Sequence, residues 1–303
     1  MRRLLIGVAA FGLLLAACAE ENPVISPTDT GTPPATAADC AAGVTAYVNP
    51  GTLTVGTDNP AFPPYFAGGE TKENPDWEFN DPNTGEGFEA AVAYEVAARM
   101  GFTSDQVDWV VAPFNQTYKP GPKHYDFAIE QISYTEKRAQ AVDFSESYYD
   151  VNQALVAVKG TPITKASGIA DLKDYTLAAQ IGTTNYDFIA NTIQPSEEPG
   201  VYNSTADAVA AINAGQVDGL VVDLPTALFL ADPFVQEVKK GVVVGQFANL
   251  SGEHFGITFE KGNPLVGCVN LALQEMKADG TLESITQEWL SEKTNVGEVP
   301  VLS

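Results

Sequence analysis

The stretch Ser133-Tyr134-Thr135-Glu136-Lys137-Arg138, with Val142-Asp143-Phe144-Ser145-Glu146-Ser147-Tyr148-Tyr149 close behind it, is the most specific signal in the chain. A guanidinium presents a planar fork of donors that matches a carboxylate, and a hydroxyl five residues earlier can add one more hydrogen bond to the same group. Arg138 and Ser133 therefore could form one side of a binding site for a carboxylate group. A solvated helix face is the alternative for so short a stretch.

Around this stretch, short apolar runs alternate with segments of helical periodicity. Phe88, Val92, Val96 and Met100 recur at a spacing of four before Gly101, which predicts an amphipathic helix. The predicted strands are residues 53–57, 107–111, 125–129, 176–179, 217–222 and 254–259. The further predicted helices are residues 185–191, 205–214, 224–231 and 264–278. The alternation predicts an α/β fold with mostly parallel sheets covered on both faces.

Polar and aromatic residues follow the carboxyl ends of these strands. They lie at residues 58–66, 130–133 and 181–185 and at Asp223. Ligands of α/β folds bind outside the carboxyl ends of strands, so these residues are predicted to form one cleft.

The first 43 residues lack the composition of a folded domain. Arg2 and Arg3 precede an apolar run, residues 4–17, that is shorter than the roughly 20 residues needed to span a bilayer, which predicts a signal peptide over residues 1–17. Leu-Ala-Ala-Cys at residues 15–18 resembles the bacterial lipobox, so Cys18 is expected to be lipidated, with ordinary secretion as the alternative. The proline-containing residues 18–43 are predicted to form a disordered tether.

The net charge and the cysteine content limit the partners and the cellular compartment of the protein. The formal net charge of −23 would repel a polyanion, so nucleic acid is a poor candidate partner, and a cationic solute would be weakly attracted. The acidity is equally typical of an exported protein that must stay soluble. Apart from Cys18, the cysteines are Cys40 and Cys268, an even pair that predicts one disulfide in an oxidising compartment. Two unpaired buried thiols are the alternative.

The order and spacing of several short segments resemble the periplasmic-type solute-binding proteins of the polar amino-acid family, the extracytoplasmic receptors of ABC importers. The resemblance covers about residues 53–290 and rests on residues 55–58, 62–66, 87–89, 133–138, 142–149, 182–184, 217–223 and 276–282. It implies a periplasmic-binding-protein-like type II fold, with two α/β lobes joined by a two-segment hinge. Residues 44–155 and 253–303 would form lobe 1 and residues 156–252 lobe 2, with crossings near residues 153–156 and 252–256.

The resemblance also implies roles for single residues. Arg138 and Ser133 would hold the α-carboxylate of an amino acid, and Asp223 would receive its α-ammonium unless it only caps the following helix. Thr183 and Thr184 lie where a glycine turn leads into a helix N-terminus, which suits an anion. Simple N-capping is the alternative for both threonines.

Aromatic residues would wall the ligand side chain. Phe62 and Tyr65 match the positions of that wall, with core packing as their alternative. Residues 113–123 hold three prolines and a glycine, which predicts an irregular loop and a remodelled cleft edge.

Two residues depart from the family pattern, which usually has small hydroxyl residues before Ser133. This chain has Glu130 and Gln131 there, and Glu130 together with Asp58 could neutralise a cationic side chain. Glu130 could instead pair with Lys137 or with the clamp arginine. Gln131 would favour glutamine as the ligand.

The resemblance implies an extracytoplasmic substrate-binding lipoprotein that captures a polar amino acid, with a cationic one among the candidates, and delivers it to the permease of an ABC importer. It implies a monomer, anchored to the membrane by lipid alone, without cofactor, metal or catalytic residues. Two rivals share the scaffold: a cyclohexadienyl dehydratase-like enzyme, in which Glu130 would transfer a proton, and a ligand sensor for a signalling receptor.

Overall fold

The computed structural model describes residues 36–69, 76–249, 251–292 and 299–303. The predicted signal peptide, the predicted lipidation site Cys18 and residues 19–35 of the predicted tether lie outside these ranges. Within them, no helix is both long enough and apolar enough to cross a bilayer.

Eleven strands in the described ranges build two sheets. They are β1 (Leu53–Thr57), β2 (Val107–Val111), β3 (Phe127–Ala128), β4 (Asp143–Asp150), β5 (Gln153–Val158), β6 (Leu177–Gln180), β7 (Gly200–Tyr202), β8 (Gly219–Asp223), β9 (Gly241–Phe247), β10 (His254–Phe259) and β11 (Val301–Leu302). The first sheet has the order β2-β1-β3-β10-β4, and the second has the order β11-β9-β5-β8-β6-β7.

Helices cover these sheets. The α-helices are α1 (Ala37–Ala42), α2 (Phe88–Arg99), α3 (Phe114–Thr117), α4 (Glu136–Ala139), α5 (Thr184–Phe188), α6 (Thr205–Asn213), α7 (Leu224–Leu230), α8 (Leu265–Ala278) and α9 (Thr281–Thr286). The π-helical segments Ile189–Ile193 and Gln287–Glu292 continue α5 and α9, and 3-10 turns lie at Pro82–Thr84, Ser104–Gln106, Pro162–Lys165 and Ile169–Leu172.

Both sheets are mixed, and the predicted α/β class is confirmed. β1 is parallel to β2 and β3, and β6 is parallel to β7 and β8. The antiparallel pairs are β10 with β3 and β4, and β5 with β8 and β9. They arise because the chain leaves the first sheet along β4 and β5 and returns along β9 and β10, so neighbouring strands run in opposite directions.

The two crossings between the sheets lie side by side. Residues 151–152 join β4 to β5, and residues 248–253 lead from β9 to β10. The Val151 N–H donates to the Glu253 carbonyl over 3.1 Å, and the Gln153 amide donates to the Glu253 carboxylate over 2.8 Å. The crossings therefore fall within a few residues of the predicted hinge segments.

The chain end departs from the predicted lobe boundaries. Val301 pairs with Gln246 and Leu302 with Phe247, so β11 belongs to the second sheet. Assigning all of residues 253–303 to lobe 1 is therefore wrong for β11, because a two-residue strand carries no periodicity that a sequence could reveal.

Core side chains cover both faces of the central strands. Along β5, Ala154 and Val156 pack into one buried cluster with Leu220, whereas Leu155 and Ala157 pack into another on the opposite face. Successive side chains of a strand point to opposite faces, so a strand that is apolar throughout must be covered on both. The sheets are therefore covered on both faces, as predicted.

The predicted tether ends earlier than residue 43. Its last residues form α1, where the Thr36 hydroxyl accepts the Asp39 N–H over 3.1 Å and Ala37 is fully buried. Cys40 and Cys268 form a disulfide with an Sγ–Sγ distance of 2.03 Å, the pairing that the sequence predicts. The cap starts α1 and the disulfide joins it to α8, so residues 37–42 are helix and not extended chain. Because the bond closes a loop of 228 residues, it should stabilise the fold by about 4–5 kcal/mol.

Candidate functional site

A cavity of about 300 Å³ lies between elements of the two sheets. Its walls include residues at or just after the carboxyl ends of β1, β3, β6 and β8, the positions at which the sequence predicts a cleft. Nine of the ten predicted ligand-binding residues line it: Asp58, Phe62, Glu130, Gln131, Ser133, Arg138, Thr183, Thr184 and Asp223. The tenth, Tyr65, does not.

The Arg138 guanidinium is buried against neutral groups. Its Nη1 donates to the Ser133 carbonyl over 2.6 Å and its Nη2 to the Gly182 carbonyl over 2.9 Å. Its Cζ lies 4.4 Å from the ring centroid of Tyr118 and 5.5 Å from that of Phe114. The side-chain ion pairs of the described residues involve other cations. A buried cation that is held only by carbonyls and ring faces is suited to an anionic ligand.

Local folding positions this guanidinium. The Thr135 hydroxyl accepts the N–H of Arg138 over 3.1 Å and so caps the single turn of α4. The predicted irregular loop, residues 113–123, carries the two rings that cover the guanidinium and contains the short helix α3. The Lys123 ammonium closes this loop by donating to the carbonyls of Gln116 and Lys119 over 2.7 and 2.6 Å.

The hydroxyl groups of the two threonines at the start of α5 have different partners. The Thr183 hydroxyl accepts the Tyr186 N–H over 3.1 Å and donates to the Gln180 carbonyl over 2.7 Å, so its side chain serves as the N-cap. The Thr184 hydroxyl instead lies 3.4 Å from that of Ser133, on the other side of the cavity. Ser133 and Thr184 can therefore both reach a group bound beside the guanidinium.

Asp223 ends β8 and makes no capping hydrogen bond to α7. Its Oδ1 accepts from the Asn185 amide over 3.0 Å. Burial, and then the nearby Glu253 carboxylate, raise the pKa of Asp223 to about 7. This carboxylate is costly to ionise in the free protein, so a cationic ligand group would favour its ionised form.

Asp58 and Glu130 line the same cavity, close enough for the charge of Asp58 to act on the Glu130 carboxyl group. Glu130 is 5% exposed, and its Oε2 is buried without a hydrogen-bond partner among the described residues. Burial, and then the neighbouring Asp58, raise the pKa of Glu130 well above its ordinary value. Among the ion pairs found in the described ranges, none joins Glu130 to Lys137 or Arg138.

Taken together, the cavity presents one buried cation and three carboxyl groups. These residues can hold an anionic group at Arg138 and cationic groups at Asp223 and at the Asp58–Glu130 pair. In the part of the chain that the structure describes, no group of three or more histidine, cysteine, aspartate or glutamate side chains is placed to hold a metal ion.

Residues 68–292 match the model of the family described as bacterial extracellular solute-binding proteins, family 3. The chain belongs to this family. The solute-binding protein is 31% identical over 250 residues to the L-cystine-binding protein TcyA of Bacillus subtilis (strain 168), covering 80% of this chain and 82% of the relative. It is 28% identical over 206 residues to the arginine-binding periplasmic protein of Mannheimia haemolytica, covering 67% and 79%.

Solved structures agree with this membership. An ancestral arginine-binding protein bound to arginine superposes with a TM-score of 0.64 at 29% identity, covering 80% of this chain and 99% of that one. The ancestral amino acid-binding protein AncCDT-1, a precursor of cyclohexadienyl dehydratase, superposes with a TM-score of 0.63 at 26% identity, covering 80% and 96%. The solute-binding protein is thus an extracytoplasmic component of an ABC importer with the predicted type II fold.

Glu89 of the solute-binding protein contacts the cavity-lining residue Gln131 without lining the cavity itself, and it was not among the predicted ligand-binding residues. It is the second residue of α2 and is fully buried, and it accepts the Gln131 N–H over 2.6 Å as well as bonds from the Gln131 amide and the Tyr148 hydroxyl. Burial raises the pKa of Glu89 to about 7. The Gln131 backbone takes the left-handed conformation, φ 47°, and its amide points to Glu89, so the structure gives no support to a glutamine preference set by Gln131.

The two aromatic residues that were predicted to wall the ligand side chain lie in different places. Phe62 lines the cavity with its ring centroid 5.3 Å from that of Phe79. Tyr65 is 1% exposed, packs edge-on against Phe255, and shares a 3.1 Å hydrogen bond with the hydroxyl of Thr226. Core packing, the alternative for these two aromatic residues, therefore describes Tyr65.

Asn185 and Thr57 also line the cavity and were not among the ten predicted ligand-binding residues, although Asn185 falls within the predicted cleft segment 181–185. Asn185 directly follows the two threonines, so its place in the first turn of α5 was the available signal. Thr57 is the last residue of a buried strand, and its hydroxyl has no partner among the described residues.

Proposed function

We propose that this solute-binding protein captures a free α-amino acid in the cavity, prefers a cationic side chain, and delivers the ligand to the permease of its importer. One observation carries the proposal: Arg138 and Asp223 line the same cavity with opposite charges, and neither is neutralised there by an ion pair among the described residues. The head group of an amino acid supplies both missing partners.

The α-carboxylate would bind at Arg138. It would accept hydrogen bonds from the guanidinium and from the hydroxyls of Ser133 and Thr184, which are 3.4 Å apart. Charge-assisted bonds of this kind are about twice as strong as neutral ones. The α-ammonium would donate to Asp223 beside Asn185, where it would stabilise a carboxylate whose pKa burial has raised to about 7.

The side chain would extend toward Phe62 and the Asp58–Glu130 pair. A cationic group there would offset the repulsion between the two neighbouring carboxyl groups, which contributes to the raised pKa of Glu130. The names of the relatives support this ligand class, since two of the comparison proteins are described as binding arginine.

Capture would be coupled to closure about the two adjacent crossings, with residues 44–155 and residues 156–252 as the cores of two lobes. Arg138 belongs to the first group of elements and donates to Gly182 of the second, so a carboxylate held there would contact both. A ligand that contacts both lobes only when they are closed shifts the population toward the closed form, which the permease would recognise. We further propose a monomer that a lipid on Cys18 holds at the membrane.

Calorimetric titration with arginine, citrulline and agmatine tests the head-group assignment, because agmatine lacks the carboxylate. Arginine should bind, agmatine should bind at least about 100-fold more weakly, and Arg138→Gln and Asp223→Asn should each lose a similar factor. Arg99→Gln is the matched control, since it removes an arginine whose ion pairs with Glu95 and Asp279 lie on α2 and after α8. Equal binding of arginine and agmatine would contradict the clamp.

We also propose that the ligand is bound without being transformed. The curated relatives named above are described as binding proteins. One structural relative is described as a precursor of a dehydratase, and Glu130 is an acid whose pKa is raised, so the enzyme alternative has a physical basis. Mass spectrometry of each ligand after prolonged incubation with the protein should recover it unchanged, and conversion would favour the enzyme.

A further inference from the structure

The Asp58–Glu130 pair combines two features that oppose the ionisation of both carboxyl groups. The two carboxyl groups line the same cavity and Glu130 is buried, so two neighbouring carboxylates would repel each other there and one of the groups should keep a proton. The Oε2 of Glu130 and the hydroxyl of Thr57 are buried without partners among the described residues, and both residues line the cavity. The pair therefore has neither a neighbouring positive charge nor enough hydrogen-bond donors on this side of the cavity.

We propose that this pair holds one proton in the ligand-free protein and exchanges it for the cationic side-chain group of the ligand, so that capture of a guanidinium releases close to one proton to solvent. This inference rests on the proposed amino-acid-binding function and deepens it. Glu130 begins as the neutral acid and ends as the carboxylate, its O–H bond is the only bond broken, and the proton passes to bulk water. The pair then carries two negative charges, and the guanidinium supplies one positive charge beside them.

The groups around Glu130 favour the protonated form until the cation arrives. Charged and titratable neighbours come from each packed element: Asp58 after β1, Glu89 from α2, Tyr118 after α3, and Tyr125 before β3. All of them are acids, so in this neighbourhood none can offer Glu130 a positive charge. Arg138, the cation of the cavity, is engaged by the carbonyls of Ser133 and Gly182.

A guanidinium supplies what the pair lacks. It brings a fixed positive charge and five N–H donors, enough for both carboxylates and for the hydroxyl of Thr57. Citrulline has nearly the same shape and the same head group but no side-chain charge, so it should leave the proton of the pair in place. Comparing these two ligands therefore isolates the pair from Asp223, which also titrates near neutrality.

The test is calorimetric titration of the wild-type protein at about pH 8 in buffers with different ionisation enthalpies. At this pH Asp223, with a pKa of about 7, is mostly ionised, and the α-ammonium is common to arginine and citrulline, so its contribution cancels between the two ligands. The slope of the observed enthalpy against the buffer enthalpy gives the number of protons released. Arginine should release about one proton more than citrulline.

Glu130→Gln is the decisive variant, because the glutamine amide has nearly the same shape as the carboxyl group but has no proton to lose. With arginine it should release about one proton fewer than the wild type, whereas Asp279→Asn, at an exposed site after α8, should match the wild type. The ratio of arginine to citrulline affinity in the wild type should also fall about tenfold for each unit of pH decrease within the range where Glu130 is protonated, and should not change with pH in Glu130→Gln.

The outcomes separate the two proposals. Binding of arginine with no extra proton release, or with the same release in Glu130→Gln, would overturn the proton exchange while leaving the proposed function standing. Failure of every amino acid to bind the wild-type protein would overturn the proposed function and the exchange with it.

Discussion

Replacing Asp223 by asparagine should stabilise the ligand-free protein at high pH while it removes ligand binding. The pKa of Asp223 is raised from an ordinary 3.8 to about 7 by burial and by Glu253, so ionising this carboxylate costs free energy in the folded state. Asparagine keeps an oxygen that can accept the Asn185 amide and carries no charge. The substitution therefore removes the ionisation cost and leaves the hydrogen bond in place.

The magnitude and sign follow from linkage. Because the folded pKa lies above the unfolded one, the wild type loses stability as pH rises from 3.8 to about 7, and the loss is constant above that range. Each unit of pH in this interval lowers the free energy of unfolding by about 1.4 kcal/mol, so the wild type loses about 3 kcal/mol of stability between pH 5 and pH 8. Partial exposure of the side chain lowers the expected value to about 2 kcal/mol.

Urea unfolding of the ligand-free wild type and of Asp223→Asn at pH 5 and pH 8 measures this effect. The stability of the variant relative to the wild type should increase by about 2 kcal/mol between the two pH values. Glu89 titrates in the same range in both proteins, so its contribution cancels. Asp279→Asn is the control, because hydrogen bonds from Thr281 and Arg99 lower the pKa of Asp279 to about 2 and it stays ionised throughout. A relative stability that does not change with pH would refute the reasoning.

Three further substitutions test other parts of the account. Replacing both Cys40 and Cys268 by serine should lower the free energy of unfolding by about 4 kcal/mol in urea titrations, and an unchanged midpoint would contradict the role given to the disulfide. Gly87→Ala should cost at least about 3 kcal/mol, because φ is 105° and a Cβ would lie 2.4 Å from a backbone oxygen, whereas Gly267→Ala, with open space around it, should be neutral or stabilise by about 0.5 kcal/mol. Arg138→Lys should weaken arginine binding by about 2 kcal/mol in calorimetry, since an ammonium cannot pair with a carboxylate through two parallel bonds, and affinity equal to wild type would exclude bidentate contact.

Much of the fold could be predicted because its central elements carry strong periodicity. Strands such as β1, β8 and β10 are rich in apolar residues and buried along nearly their whole length, and α2 and α8 have apolar residues at helical spacing. The strands β4, β5, β7, β9 and β11 were missed. β5 was assigned to a crossing between the lobes, and β7 and β11 have only three and two residues. β4 has only two buried residues among polar and aromatic ones, and β9 is half-buried along most of its length, so neither alternates cleanly.

Most of the residues that line the cavity could also be predicted, because ligands of α/β folds bind at strand ends. The role of each side chain could not be predicted, because it depends on the hydrogen-bond partner that the side chain contacts in the fold. Thr183 uses its hydroxyl to cap α5, Gln131 turns its amide to Glu89, and Tyr65 bonds to Thr226. The bonds of Gln131 and Tyr65 join residues 42 and 161 positions apart, and no local pattern encodes them. The Thr183 cap is local, and the sequence left it open beside an anion-binding role.

A crystal structure of the protein with arginine bound would test the central claim most directly. We expect the ligand carboxylate within about 3 Å of the Arg138 guanidinium, the α-ammonium within about 3 Å of Asp223, and the ligand guanidinium against Asp58 and Glu130. A ligand bound outside this cavity, or one whose carboxylate lies away from Arg138, would contradict the account.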